Sequence, residues 1–136
     1  MNFRIDPRLV ADTLPIGDLS LSRLLLMNDA RWPWLIVVPR IAGARELIDL
    51  DAHDRGALLD EITPLARTLE TLYRPDKLNI AALGNVVSQL HIHVIARHVD
   101  DAAWPKPVWG HGERVAYADA DATVARLREA LQDQLT

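Results

Sequence analysis

The segment from residue 89 to residue 94 alternates polar and apolar side chains. Gln89, His91 and His93 occupy every second position, and leucine, isoleucine and valine stand between or after them. Alternation with a period of two predicts a half-buried β-strand. Its polar side chains project from one face, with successive ones roughly 7 Å apart. We therefore expect two imidazoles and an amide to project side by side, while the apolar side chains face a core.

Other apolar runs predict the rest of a sheet. Runs bounded by Asn, Asp, Gly or Pro predict strands at residues 24–27, 34–38 and 78–82, of which the first two form an antiparallel hairpin. Strands that precede and follow a helix indicate a mainly antiparallel sheet. The sequence therefore predicts one α+β domain over residues 1–136.

Two helices are predicted from apolar positions at three- and four-residue spacing. Asp51 is a suitable N-cap for a long helix that ends near Tyr73, and Pro64 inside it predicts a kink or a local break. A similar stripe predicts an amphipathic C-terminal helix through Val124, Leu127, Leu131 and Leu135.

Composition narrows the classes of function. The 136 residues carry a net charge of −4, so no overall positive field attracts a nucleic acid polymer or an anionic membrane. The chain has no cysteine, which excludes a thiolate metal site and a cysteine nucleophile. The first residues do not form the apolar core of a signal peptide, and no apolar run has the length of a membrane span. We therefore expect a cytoplasmic protein that needs no cofactor.

Histidine clustering points to chemistry at the alternating segment. Three of the five histidines lie within residues 91–98. A neutral imidazole can attack phosphorus through one ring nitrogen while the other nitrogen holds the proton, and a second imidazole can stabilise the developing charge. Two other interpretations stay open. His91 and His93 could line a polar sheet face, or they could bind a divalent metal together with His98 and either Asp100 or Asp101.

The same residues carry a family resemblance. Residues 89–97 resemble the signature His-φ-His-φ-His-φ-φ of the histidine triad (HIT) proteins, in which φ is apolar. Upstream, Gly84-Asn85-x-Val87-x-Gln89 resembles the family's Gly-Gln-x-Val-x-His approach, and the strand from Trp34 resembles its His-x-Leu-Val-x-Pro strand. The resemblance covers about residues 20–98, and the tail at residues 104–110 resembles that of a bacterial branch.

The resemblance implies a function and an assembly. Proteins of this family are nucleotide-binding hydrolases and transferases of a HIT-like fold, which attack the α-phosphate of dinucleoside polyphosphates, nucleoside phosphoramidates or adenylylated conjugates. The reaction passes through a covalent nucleotidyl-histidine intermediate, and the proteins commonly form homodimers. We therefore expect a purine nucleotide as substrate and a second copy of the chain as partner.

Site residues follow from the same match. His91 corresponds to the nucleophile, His93 to the histidine that contacts the phosphate, and Gln89 to the first triad position. Four further residues are expected to bind the nucleotide. Asn28 is expected near the ribose, and Asn79 and Asn85 along the phosphates. Arg97, at the end of the motif, is the fourth.

The sequence departs from the family pattern at three positions, and these departures bear on the rate of the reaction and on the choice of substrate. Gln89 replaces the usual first histidine, and Trp34 replaces a fourth histidine that is expected to pack near the first. Val86 stands where a hydroxyl often assists the leaving group, so that Ser88 would have to supply this help. The departure at Gln89 also leaves open a non-catalytic nucleotide-binding protein.

Overall fold

The computed structural model describes residues 2–136, and one antiparallel sheet organises them. Its five strands are β1 (Thr13–Asp18), β2 (Ser22–Met27), β3 (Trp34–Pro39), β4 (Lys77–Ala81) and β5 (Ile92–Arg97). They lie in the order β1-β2-β3-β5-β4, with every neighbouring pair antiparallel. The predicted α+β class and the mainly antiparallel sheet are confirmed.

Three helices accompany the sheet: α1 (Pro7–Asp12), α2 (Ala52–Tyr73) and α3 (Ala120–Ala130). The Asp51 carboxylate accepts a hydrogen bond from the backbone N–H of Asp54 at 2.8 Å, so the predicted cap of α2 is confirmed. The local break considered at Pro64 does not occur. Buried side chains lie on both sides of the proline, and they hold α2 against the sheet as one helix.

The sheet is buried on both faces. One face packs against α2 and α3 through a core that includes Leu35, Val37 and Val94, each fully buried. The opposite face carries a second core that includes Ile36 and Ile95, covered by the N-terminal segment and by the loop after β5. All six residues of β5 are buried, so the prediction of a half-buried strand is wrong. The alternating pattern predicts the core on one face of the sheet. The core on the other face forms because segments distant in sequence cover it.

Strand β1 escapes the sequence patterns, and the C-terminal helix is shorter than predicted. Pro15 and Gly17 interrupt β1, and the strand register shifts between them, which removes the regular alternation. The C-terminal helix ends at Ala130, although Leu131 and Leu135 still pack on the core beyond it. Within residues 2–136, no helix combines the length and the apolar character that crossing a membrane requires.

Candidate active site

Two histidine rings meet where β5 begins. His91 directly precedes the strand, and His93 pairs with Ile36 of β3 and with Ala81 of β4. The ring centroids lie 4.9 Å apart, and only 7% of His91 and 4% of His93 are exposed. The sheet therefore holds both imidazoles in a largely desolvated place.

The backbone orients the His91 ring. Its Nδ1 lies 2.6 Å from the carbonyl oxygen of Gln89. Because a carbonyl oxygen can only accept, Nδ1 carries the proton and donates it. In the neutral ring Nε2 then holds the free lone pair, which is the arrangement that a nucleophile needs.

The opposite arrangement holds at His93. The indole Nε1–H of Trp34 donates to His93 Nδ1 at 2.9 Å, and the two rings lie 5.7 Å apart. An indole nitrogen is a donor only, so Nδ1 of His93 is unprotonated and Nε2 carries the proton. Burial, and then the neighbouring His91, lower the pKa of His93 to about 3. His93 is therefore a neutral hydrogen-bond donor.

The contact of Trp34 corrects one expectation. The sequence predicts that Trp34 packs near the first triad position, but it packs on His93, at the third. The reason is the strand register, because Trp34 pairs with Ile95 and so lies diagonally across from His93 on the same face of the sheet.

The Gln89 side chain is directed away from the histidines. Its Oε1 accepts from the backbone N–H of Asp6 at 2.8 Å, and its Nε2 donates to the carbonyl of Arg4 at 2.7 Å. Only the backbone carbonyl of Gln89 reaches His91. This geometry favours a positioning role for Gln89, in which the side chain fixes the N-terminal segment and the carbonyl fixes the ring.

The loop after β5 completes the site. Trp109 lies 5.0 Å from His93 and 6.1 Å from Trp34, edge-on to both rings. Trp34 and Trp109 also line a cavity of about 420 Å³ together with Met27 and Arg31, and neither His91 nor His93 is among its lining residues. The sequence resembles a bacterial branch at residues 104–110, but it does not show that this loop folds back over the chain's own His93.

The expected nucleotide-binding residues lie in different surroundings. Asn28 stands between two residues of the cavity wall, and its Oδ1 accepts from the backbone N–H of Tyr117 at 2.9 Å. Asn85 is exposed, directly after Gly84, whose φ of 76° fits a tight turn. Both stay predictions as nucleotide ligands.

Arg97 and Asn79 bind each other instead of facing the cavity. Arg97 is 2% exposed, and its Nη1 donates to Asn79 Oδ1 at 2.8 Å. Its Nε and Nη2 donate to the Asp101 carboxylate at 2.7 and 3.1 Å, and Nη2 also donates to the carbonyl of Lys106. Burial acts to raise the pKa of Asp101, but the hydrogen bonds from Arg97 and from backbone N–H groups hold it well below its usual range. The contacts favour a structural role for Arg97, as the anchor of the loop that carries Trp109.

The structure does not assemble the three-histidine metal site. His98 Nε2 lies 2.9 Å from the carbonyl of Tyr73, away from His91 and His93. Among residues 2–136, the one group of three side chains with ligand atoms close enough for a metal is Asp51, His53 and Asp54 at the start of α2. Since Asp51 caps that helix, the group has a structural explanation.

Comparisons with known proteins agree with this geometry. The family model described as "HIT domain" matches residues 8–100. A histidine triad protein from Bradyrhizobium japonicum is 45% identical, with a TM-score of 0.91 and 100% of both chains covered. One from Marinobacter aquaeolei VT8 is 42% identical, with a TM-score of 0.94 and 98% of this chain and 99% of that chain covered.

A more distant structure shares the fold. The diadenosine triphosphate hydrolase of Plasmodium falciparum, solved in complex with cyclomarin A, is 15% identical, with a TM-score of 0.63. The match covers 100% of this chain and 86% of that chain. No curated protein sequence matches the chain.

Proposed function

The chain belongs to the histidine triad (HIT) family, whose members bind nucleotides and are generally hydrolases or transferases, and from this we propose that it is a nucleotidyl hydrolase or transferase that works through His91. The observation that carries the proposal is the pair of opposite tautomers, one ring with a free Nε2 lone pair and the other with an Nε2–H. A nucleophile and a hydrogen-bond donor thus stand side by side, as attack on a phosphate requires.

The proposed reaction has two steps. His91 Nε2 attacks the α-phosphorus of the nucleotide, a P–N bond forms, and the bond from phosphorus to the leaving group breaks. His93 Nε2–H donates to a phosphoryl oxygen or to the leaving group as negative charge develops there. Water or another acceptor then attacks the same phosphorus and gives its proton to the solvent, and the P–N bond breaks so that His91 Nε2 regains its lone pair.

The cavity lined by Trp34 and Trp109 is the proposed place for the nucleoside, because both tryptophans contact His93. Trp34 and Trp109 offer aromatic surface on which a base can stack. Arg31 and Arg114 also lie on the cavity walls, where they form ion pairs with Asp29 and Asp12. Because the chain as a whole is acidic, these two arginines are the proposed positive groups for the phosphates. Asn28 and Asn85 are the proposed polar contacts to the ribose and the phosphates, and a purine nucleotide is the proposed substrate.

Intact-mass spectrometry tests this function directly. Mixing the protein with a dinucleoside polyphosphate or a nucleoside phosphoramidate should give an adduct of one nucleotidyl group, provided that the quench is alkaline, since phosphorus–nitrogen bonds at histidine are labile in acid. The His53→Ala variant is a suitable control, because that side chain is 91% exposed on α2 and should not affect the adduct. Saturable nucleotide binding without an adduct or turnover would instead establish the non-catalytic alternative.

We propose that the functional form is a homodimer through the edge of the sheet at β4. Strand β4 has a neighbour on one side only, and beside it lies an apolar groove of about 340 Å³ against α2. Leu59 and Ile80 line this groove and are 63% and 49% exposed. An open strand edge beside exposed apolar side chains is a surface that proteins usually cover, and a second copy can do so symmetrically.

Sedimentation at micromolar concentration should therefore give about twice the 15.2 kDa mass of the chain. Replacing Ile80 by glutamate should shift the protein toward monomer, because the charge would have to be buried in the interface. Replacing Val10 by glutamate is the matched control, since Val10 is 61% exposed on α1, away from the groove. An active wild-type monomer would contradict the dimer.

A further inference from the structure

We propose that Trp34 fixes His93 as a permanent Nε2–H donor and thereby directs the site toward leaving groups that depart as anions, such as those of phosphoanhydrides, in preference to amines. The effect on substrate choice rests on the proposed function, whereas the effect on the His93 tautomer does not. Trp34 is in this view a positioning residue, because it acts on the substrate through His93.

The donor character of the indole carries the argument. Trp34 is 5% exposed, and its Nε1–H is directed at His93 Nδ1 in a place that water does not reach freely. Turning the His93 ring over would place a carbon against that N–H and leave a buried donor without an acceptor. A histidine at position 34 could either donate or accept, and would allow both tautomers of His93. Tryptophan allows one.

The surroundings of His93 give it no second source of a proton. His91 is the titratable side chain that faces it, on the same segment, while Trp34 of β3, Trp109 of the loop and Ala81 of β4 contact or pair with it from the other elements. Protonation of Nδ1 would also place two N–H groups against each other. His93 therefore stays neutral across about pH 5 to 8, in agreement with its lowered pKa.

A neutral Nε2–H donor stabilises charge but does not readily give up its proton. Phosphate and carboxylate leaving groups depart as stable anions and need only this stabilisation. An amine that leaves from a phosphoramidate needs a proton, and general-acid catalysis is worth roughly 10²–10⁴-fold in rate. We therefore expect kcat/KM for a diadenosine polyphosphate to exceed that for an adenosine phosphoramidate by about 100-fold.

Nitrogen NMR tests the tautomer without any substrate. Long-range ¹H–¹⁵N spectra should show His93 with its proton on Nε2, unchanged between pH 5 and 8. In Trp34→Phe, which keeps an aromatic ring but removes the donor, His93 should titrate or exchange between tautomers. Trp104→Phe removes an indole that lies near Arg97 and should leave the spectrum unchanged. A wild-type His93 that titrates in this range, or carries its proton on Nδ1, would overturn the proposal.

Turnover with the two substrates tests the consequence. In Trp34→His the ratio of kcat/KM values, anhydride over phosphoramidate, should fall by about 10-fold, because His93 can now take a second proton. A wild-type ratio near one, or a ratio that Trp34→His leaves unchanged, would overturn the inference on leaving groups. If the wild-type protein turns over neither substrate, this result would instead count against the proposed function. The NMR result would still decide the tautomer of His93.

Discussion

Replacing His91 by alanine is expected to lower turnover by on the order of 10⁴-fold or more, because the change removes the atom that forms the covalent bond. The fold should survive, since the ring makes one hydrogen bond, to the Gln89 carbonyl, and a single such bond contributes about 1 kcal/mol. Single-turnover kinetics, with intact mass to detect the adduct, measure the effect. The variant should bind nucleotide with nearly unchanged affinity.

Gln89→Ala separates positioning from chemistry at the same place. Its side chain holds the backbone of Arg4 and Asp6, so its loss should loosen the N-terminal segment and slow turnover by only about 10-fold. If Gln89→Ala is as inactive as His91→Ala, the side chain of Gln89 has a direct role in the reaction. Near-normal activity in a folded His91→Ala protein would end the covalent mechanism for this chain.

Replacing Arg97 by leucine should lower the free energy of unfolding by roughly 3–5 kcal/mol, because it leaves a buried carboxylate without its partner. The Asp101 side chain is only 5% exposed, and the guanidinium also supports Asn79 and the carbonyl of Lys106. Urea unfolding followed by circular dichroism measures the change. Adding Asp101→Asn to Arg97→Leu should restore part of the loss, since it removes the unpaired charge.

An exposed ion pair provides the control for Arg97. Arg114 lies 3.5 Å from Asp12, and their side chains are 45% and 57% exposed, so Arg114→Leu should change stability by less than about 1 kcal/mol. Equal losses in the two leucine variants would contradict the structural role of Arg97. A stable Arg97→Leu protein with weakened nucleotide affinity would instead support the binding role that the sequence predicts for it.

The sequence predicts those helices and strands in which apolar residues recur at a regular spacing. The strands from Leu24, Trp34 and Leu78, the helix capped by Asp51 and the C-terminal helix follow from apolar spacing, and the structure confirms each to within a few residues at its ends. Strand β1 could not be predicted in the same way, because a proline and a register shift break its pattern.

The sequence predicts which residues carry the chemistry of the candidate site, but it does not predict which side chains contact them. The proximity of His91 and His93 follows from their spacing on the chain. The partner of His93 does not, because it depends on how β3 is registered against β5. The same holds for Arg97, which the motif places beside the histidines and the fold directs into an ion pair with Asp101.

The contact that sets the His93 tautomer and the contact that holds the Gln89 side chain both join parts of the chain that are far apart in sequence, whereas His91 takes its tautomer from a carbonyl two residues away. Trp34 and His93 are separated by 59 residues, and Gln89 is separated from Arg4 by 85. Contacts between residues so far apart in sequence form slowly, because the long loop between them must close, at a cost in entropy, before the contact can stabilise the chain. A partly folded chain therefore lacks the contact that fixes the tautomer of His93, and the pair that can attack a phosphate is complete only once folding is complete.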